Sequence, residues 1–129
     1  DVLAAGDLVP TVNQVELHPH LRLAELQSYL KQKGCYIEAW SPIAQAREDL
    51  FGEQVLQNIA EEHGKTIAQV ILRWHWQHEI VIIPKSVKEH RIQENASIFD
   101  FELSAAEMAA IDGLDQNKRN GPHPSNFDF

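Results

Sequence analysis

The chain has 129 residues, 43% hydrophobic and 23% charged, which suits one small globular domain. A net charge of -8 with neutral histidines argues against a general nucleic-acid binder, which needs a basic face, and leaves room only for a local basic pocket. A single cysteine, Cys35, excludes an intrachain disulfide and a cysteine-rich metal site, and fits a reducing, cytoplasmic compartment.

No apolar run approaches the roughly 20 residues of a membrane span, and no signal peptide is visible. The first residue is Asp1 and the only methionine is Met108, so the sequence reads as trimmed, processed or partial. Leu3 to Gly6 reads as the end of a helix. Thr11 to Leu17 is a strand with Val12, Gln14 and Glu16 on one side and Asn13, Val15 and Leu17 on the other. Polar groups on both faces are unusual for a buried strand.

Leu21, Leu23, Leu26, Tyr29 and Leu30 form a helical stripe over residues 21–33, stopped by Gly34. Cys35 to Trp40 is a second apolar strand, broken at Ser41-Pro42, with a loop to about Gly52. Residues 53–63 read as a helix closed by Gly64, and Thr66 caps another from Ile67 to about Gln77. Ile80 to Ile83 is a short apolar strand of the kind buried on both faces of a parallel sheet. Residues 87–96 are helical, and Ser104 with Glu107 forms a capping box for a last helix. The tail after Asp115, rich in Asn, Gly and Pro, is irregular. Strands alternating with helices imply parallel β/α units, either a small open domain or a piece of a larger closed barrel.

In such folds ligand groups gather where strands end. The third strand ends in Pro84-Lys85-Ser86 and opens a helix that carries Arg91 in its first turns. Two cations, a hydroxyl and a helix N-terminus suit a phosphate, although the spacing equally fits a solvated helix start. Trp40 offers a face for a planar heterocycle and Gln14 a partner for a carboxamide, or they are a core tryptophan and a strand glutamine. The pairs His75/His78 and His18/His20 lack a third ligand at metal-like spacing, so no metal site is assigned. Cys35 is expected to be buried and inert.

Together, "VNQVELHPHL", "EAWSPIAQ" and "VIIPKSVKEHRIQEN", in this order and spacing, resemble the C-terminal half of aldo-keto reductases. "FDFELSAAEMAAIDGLDQNKRNGPHP" extends the likeness nearly to the end of the chain, which is most similar to the bacterial 2,5-diketo-D-gluconate reductase group. The resemblance implies an α/β fold, part of a (β/α)8 TIM barrel, with the three strands as barrel strands six to eight. Residues 1–129 would be the C-terminal half of that barrel and 116–129 its irregular tail. It implies reduction of an aldehyde or ketone by hydride transfer from NADPH.

By the same resemblance Gln14 meets the nicotinamide carboxamide and Trp40 stacks on the nicotinamide ring. Ser41 and Ile43 line the pyrophosphate. Lys85, Ser86 and Arg91 grip the adenosine 2′-phosphate, and Glu94 and Asn95 contact the adenine. The family's catalytic Asp, Tyr, Lys and His belong to its N-terminal half, and none of their motifs is present. The chain alone is therefore expected to be inactive. The expected partners are a small carbonyl substrate in the intact enzyme, and the N-terminal half or another copy to cover the open sheet edges. A free-standing half-barrel that binds NADPH or assembles without catalysis is the alternative. His123, Phe127 and Phe129 in the tail either touch the substrate or form a disordered end.

Overall fold

The computed structural model describes Gly6 and residues 8–126. The elements run β1 (Val12–Glu16), α1 (Ala24–Lys33), β2 (Tyr36–Trp40), a 3-10 turn (Ala44–Ala46), α2 (Glu48–Phe51), α3 (Gln54–His63) and α4 (Ile67–Gln77). They continue with β3 (Val81–Ile82), α5 (Glu89–Ala96), α6 (Ala105–Asp112) and a 3-10 turn (Pro124–Asn126). The helix end expected at Leu3 to Gly6 falls on residues which, Gly6 apart, lie outside those described.

The three strands form one parallel sheet in the order β1-β2-β3. Its register sets Gln14 opposite Glu38, Glu16 opposite Trp40, and Glu38 opposite Val81. Parallel strands need long crossovers, and α1 and α4 supply helices for them. Alternation along the strands then makes two unlike faces. Ile37 and Ala39 are buried and join Leu17, Leu56, Ile71 and Trp74 in the core under the helices. The opposite face carries Val12, Gln14, Tyr36, Glu38 and Val81.

That second face corrects one expectation. The sequence predicts a strand buried on both sides over residues 80–83, but only Val81–Ile82 pair, and Val81 and Ile83 are exposed. Helices cover a single face of the sheet, so alternate residues of β3 stay in solvent. The helix expected over 21–33 begins only at Ala24. Leu21 is instead locked in a tight turn, its N–H donating to the His18 carbonyl at 2.8 Å, and Leu23 takes a left-handed φ of 53°. Tyr29 lies off the buried stripe and is exposed. The segment read as a loop up to Gly52 contains the short helix α2, whose Leu50 is fully buried.

The helix ends follow their local chemistry. Gly34 and Gly64 close α1 and α3 with φ of 70° and 60°, a region most side chains avoid. The Thr66–Gln69 and Ser104–Glu107 capping boxes are both formed.

His75 ties α4 to the end of β1. Its ring is fully buried, with Nδ1 2.8 Å from the Ile71 carbonyl and Nε2 3.1 Å from the Leu17 carbonyl. Burial pushes its pKa down to about 4, against the pull of those two carbonyls. The unfolded chain therefore takes up this proton at a higher pH than the folded chain does. The His75 contribution is complete above the ordinary histidine pKa of 6.5 and is lost as pH falls toward 4. Urea titrations of wild type and His75→Gln at two pH values test this. Between pH 7 and pH 5 the wild type should lose roughly 2 kcal/mol more stability than the variant. Equal losses would contradict the assignment.

Candidate functional site

Because the strands are parallel, their carboxyl ends lie side by side. Gln14, on β1, donates its side-chain N–H to the Glu38 carboxylate on β2. Trp40 is the last residue of β2 and is half-buried. Ser41 follows with a φ of 50°, and Ala44, Gln45 and Ala46 also have positive φ. Left-handed backbone at non-glycine residues costs roughly 1–2 kcal/mol each, so this loop holds a strained, tight turn. Two backbone bonds close it, Ala44 N–H to Ser41 O and Ala46 N–H to Ile43 O, both 2.8 Å. Ile43 packs against the core.

The third strand end differs in detail from its sequence reading. The helix starts at Glu89 rather than residue 87, with Lys88 as its cap and no side-chain cap bond. Ser86 lies two residues before that cap, and its hydroxyl accepts from the Lys88 N–H at 3.2 Å. Arg91 is the third residue of α5, so it remains in the first turn, alongside the acidic Glu89. Lys85 and Arg91 are exposed and form no ion pair among the described residues. Glu94 and Asn95 are half-buried, and the Glu94 carbonyl accepts from the Gln69 side chain at 3.1 Å. The sheet order thus separates two clusters, Gln14 and Trp40 on β1 and β2, and Lys85, Ser86 and Arg91 beyond β3.

Glu16 is a feature the sequence reading passed over. Its carboxylate is fully buried at the end of β1. Oε1 accepts from the Asn120 backbone N–H at 2.7 Å and Oε2 from the Gly121 N–H at 3.0 Å. Arg119 lies 3.6 Å from Oε2 and His18 Nε2 3.3 Å from Oε1. Two further tail amides, of Gln116 and Lys118, donate to the His20 carbonyl. The irregular tail is therefore fastened along residues 116–121. The only available signal was a glutamate at the end of a strand, followed by two histidines around a proline.

Three further histidines have structural partners. His20 bonds Glu53 at 2.8 Å, His63 bonds Glu107 at 2.6 Å, and His78 shares Asp112 with the Trp74 indole and Arg22. Burial lowers the pKa of His18, against the pull of Glu16. Among the described residues no three His, Cys, Asp or Glu side chains gather as metal ligands. Cys35 is buried. A groove of about 590 Å³ lined by Arg22, Leu30, Lys31, Cys35 and His78 opens by the start of β2, the end of the strand away from Trp40. Its cations are already engaged, Lys31 with Glu79 and Arg22 with Asp112. In the tail, His123 is exposed and accepts from the Ser125 N–H at 3.2 Å, while Phe127 and Phe129 lie outside the described residues. No described helix is long and apolar enough to cross a membrane.

The model of the aldo/keto reductase family matches residues 2–116. The chain belongs to the aldo/keto reductase family. It is 52% identical over its whole length to a glyoxal reductase of Bacillus subtilis and covers 46% of that protein. It is 42% identical over 120 residues to a methylglyoxal reductase, DkgA, of Yersinia pestis, covering 93% of the chain and 43% of DkgA. A crystal structure of a Gox0644 mutant in complex with NADPH superposes with a TM-score of 0.93 at 36% identity, over 99% of this chain and 47% of that one. This aldo/keto reductase chain thus spans about half the length of the relatives it matches, and its three-stranded α/β architecture is part of their barrel.

Limited proteolysis checks the fastened tail. Trypsin should cut after Lys85, Lys88 or Arg91 well before it cuts after Lys118 or Arg119, although all five lie outside regular strands. Early loss of the tail would contradict the bonds to Glu16 and His20.

Proposed function

We propose that this chain is the cofactor-holding, C-terminal half of an NADPH-dependent reductase of aldehydes or ketones, with its strands as barrel strands six to eight. The observation that carries the reading is the pair of cations, Lys85 and Arg91, without ion-pair partners among the described residues, that flank Ser86 at the start of α5, where no side chain caps the helix. Free helix N–H groups and two cations favour an anion, and the adenosine 2′-phosphate is the anion that separates NADPH from NADH. Glu89 in the same turn opposes this, so the side-chain cations rather than the helix terminus supply most of the attraction. The NADPH-bound relative supports the choice of cofactor.

On this reading Trp40 offers its face to the nicotinamide and Gln14 turns from Glu38 to the carboxamide. Ser41 and Ile43 border the pyrophosphate in the strained loop, and Glu94 and Asn95 border the adenine. When bound, the cofactor supplies a hydride to a carbonyl carbon. The residues here bind and orient it, while the proton comes from a tyrosine in the remainder of the barrel. That remainder covers the outer edges of β1 and β3 and the sheet face where Val12, Val81 and Ile83 are exposed. Without it the chain reduces no carbonyl.

The test is cofactor affinity in the reductase that contains this chain. Lys85→Ala and Arg91→Ala should each weaken NADPH binding roughly ten- to hundredfold and leave NADH within about twofold. Equal losses for the two cofactors would overturn the assignment.

A further inference from the structure

Trp40 has no polar anchor among the described residues. Its indole N–H makes no hydrogen bond to them, so packing alone sets the ring's angle. One packing partner is the tail. A Cβ built on Gly121 would lie 2.6 Å from Trp40 Cη2 and 3.3 Å from Cζ2. The backbone at 121 thus rests against the outer edge of the indole, at a distance only glycine allows. The same stretch is the one gripped by Glu16, through the Asn120 and Gly121 N–H groups. Glu16 and Trp40 are direct neighbours in the β1–β2 register, so the clamp, the strap and the ring stand in one row.

We propose that Glu16 is a positioning residue that acts through the strap 119–121 on the Trp40 ring, and so sets the platform for the nicotinamide. This rests on the reading of Trp40 as the nicotinamide's stacking partner. A carboxylate is required because both of its oxygens accept backbone N–H bonds. An amide presents a donor where one of those acceptors must be, and Arg119 and His18 then face a neutral group. The strap loosens, and the ring loses the contact that holds its angle.

The experiment uses the complete reductase and two ligands, NADPH and adenosine 2′,5′-bisphosphate, which lacks the nicotinamide. Wild type, Glu16→Gln and Gly121→Ala are compared by binding titration and by amide hydrogen exchange at residues 116–121. In Glu16→Gln the strap amides should exchange at least about tenfold faster. NADPH should bind roughly fivefold or more weakly, a typical effect of losing an aromatic stack, while the bisphosphate binds as in wild type. Gly121→Ala keeps the carboxylate and its charge, although the new Cβ also lies 3.3 Å from Glu16 Oε2, and its closest clash, at 2.6 Å, forces strap and ring apart. It should give the same loss for NADPH alone, and it decides the matter if Glu16→Gln fails to fold. A loosened strap with unchanged NADPH affinity would overturn the positioning role. Equal weakening of both ligands would mean a merely structural role, and would overturn it too. If wild type binds neither ligand, the cofactor reading itself falls and takes this inference with it.

Discussion

Parallel pairing of three short strands is the constraint on which the rest depends. It sends every strand the same way and so brings Gln14, Trp40 and the Pro84-Lys85-Ser86 turn to one side of the sheet. Gln14 and Ser86, 72 positions apart in the chain, come to the same end of one sheet for that reason alone, with β2 between them. The helices hold the arrangement in place. They cover one face, where Ile37, Ala39, Ile71 and Trp74 form a dry core, and His75 stitches α4 to the end of β1.

The other face carries most of the polar side chains of the strands. Gln14, Glu38 and Trp40 alternate outward there, with Glu16 buried among them only because the tail lies over it. A fully buried carboxylate is costly unless its charge is answered, and here two backbone N–H groups and Arg119 answer it. The tail is consequently part of the structure around Trp40 rather than a loose end. The strained loop at residues 41–46 adds a second fixed boundary beside the same ring.

Much of this was legible in the residues. Alternating strand and helix signals, glycine stops at Gly34 and Gly64, the Thr66 cap and the Ser104–Glu107 capping box depend on local chemistry, which a sequence displays directly. The family likeness was equally legible, because its motifs sit at strand ends in a fixed order. Other features were not, and three show why. The late start of α1 comes from the turn locked between His18 and Leu21, a backbone pairing with no strong side-chain signature. The exposure of Val81 and Ile83 depends on what covers a sheet face, which no local pattern reports. The Glu16 clamp joins residues more than 100 positions apart, and a lone strand glutamate carries no mark of its distant partners.

The central claim is spatial: one cofactor spans from Trp40 on β2 to the turn after β3. A crystal structure of the complete reductase soaked with NADPH tests it most directly. The account predicts the nicotinamide lying on the Trp40 ring and the 2′-phosphate within hydrogen-bonding reach of Lys85, Ser86 and Arg91. A cofactor seated with its 2′-phosphate elsewhere, or with its nicotinamide away from Trp40, would contradict it.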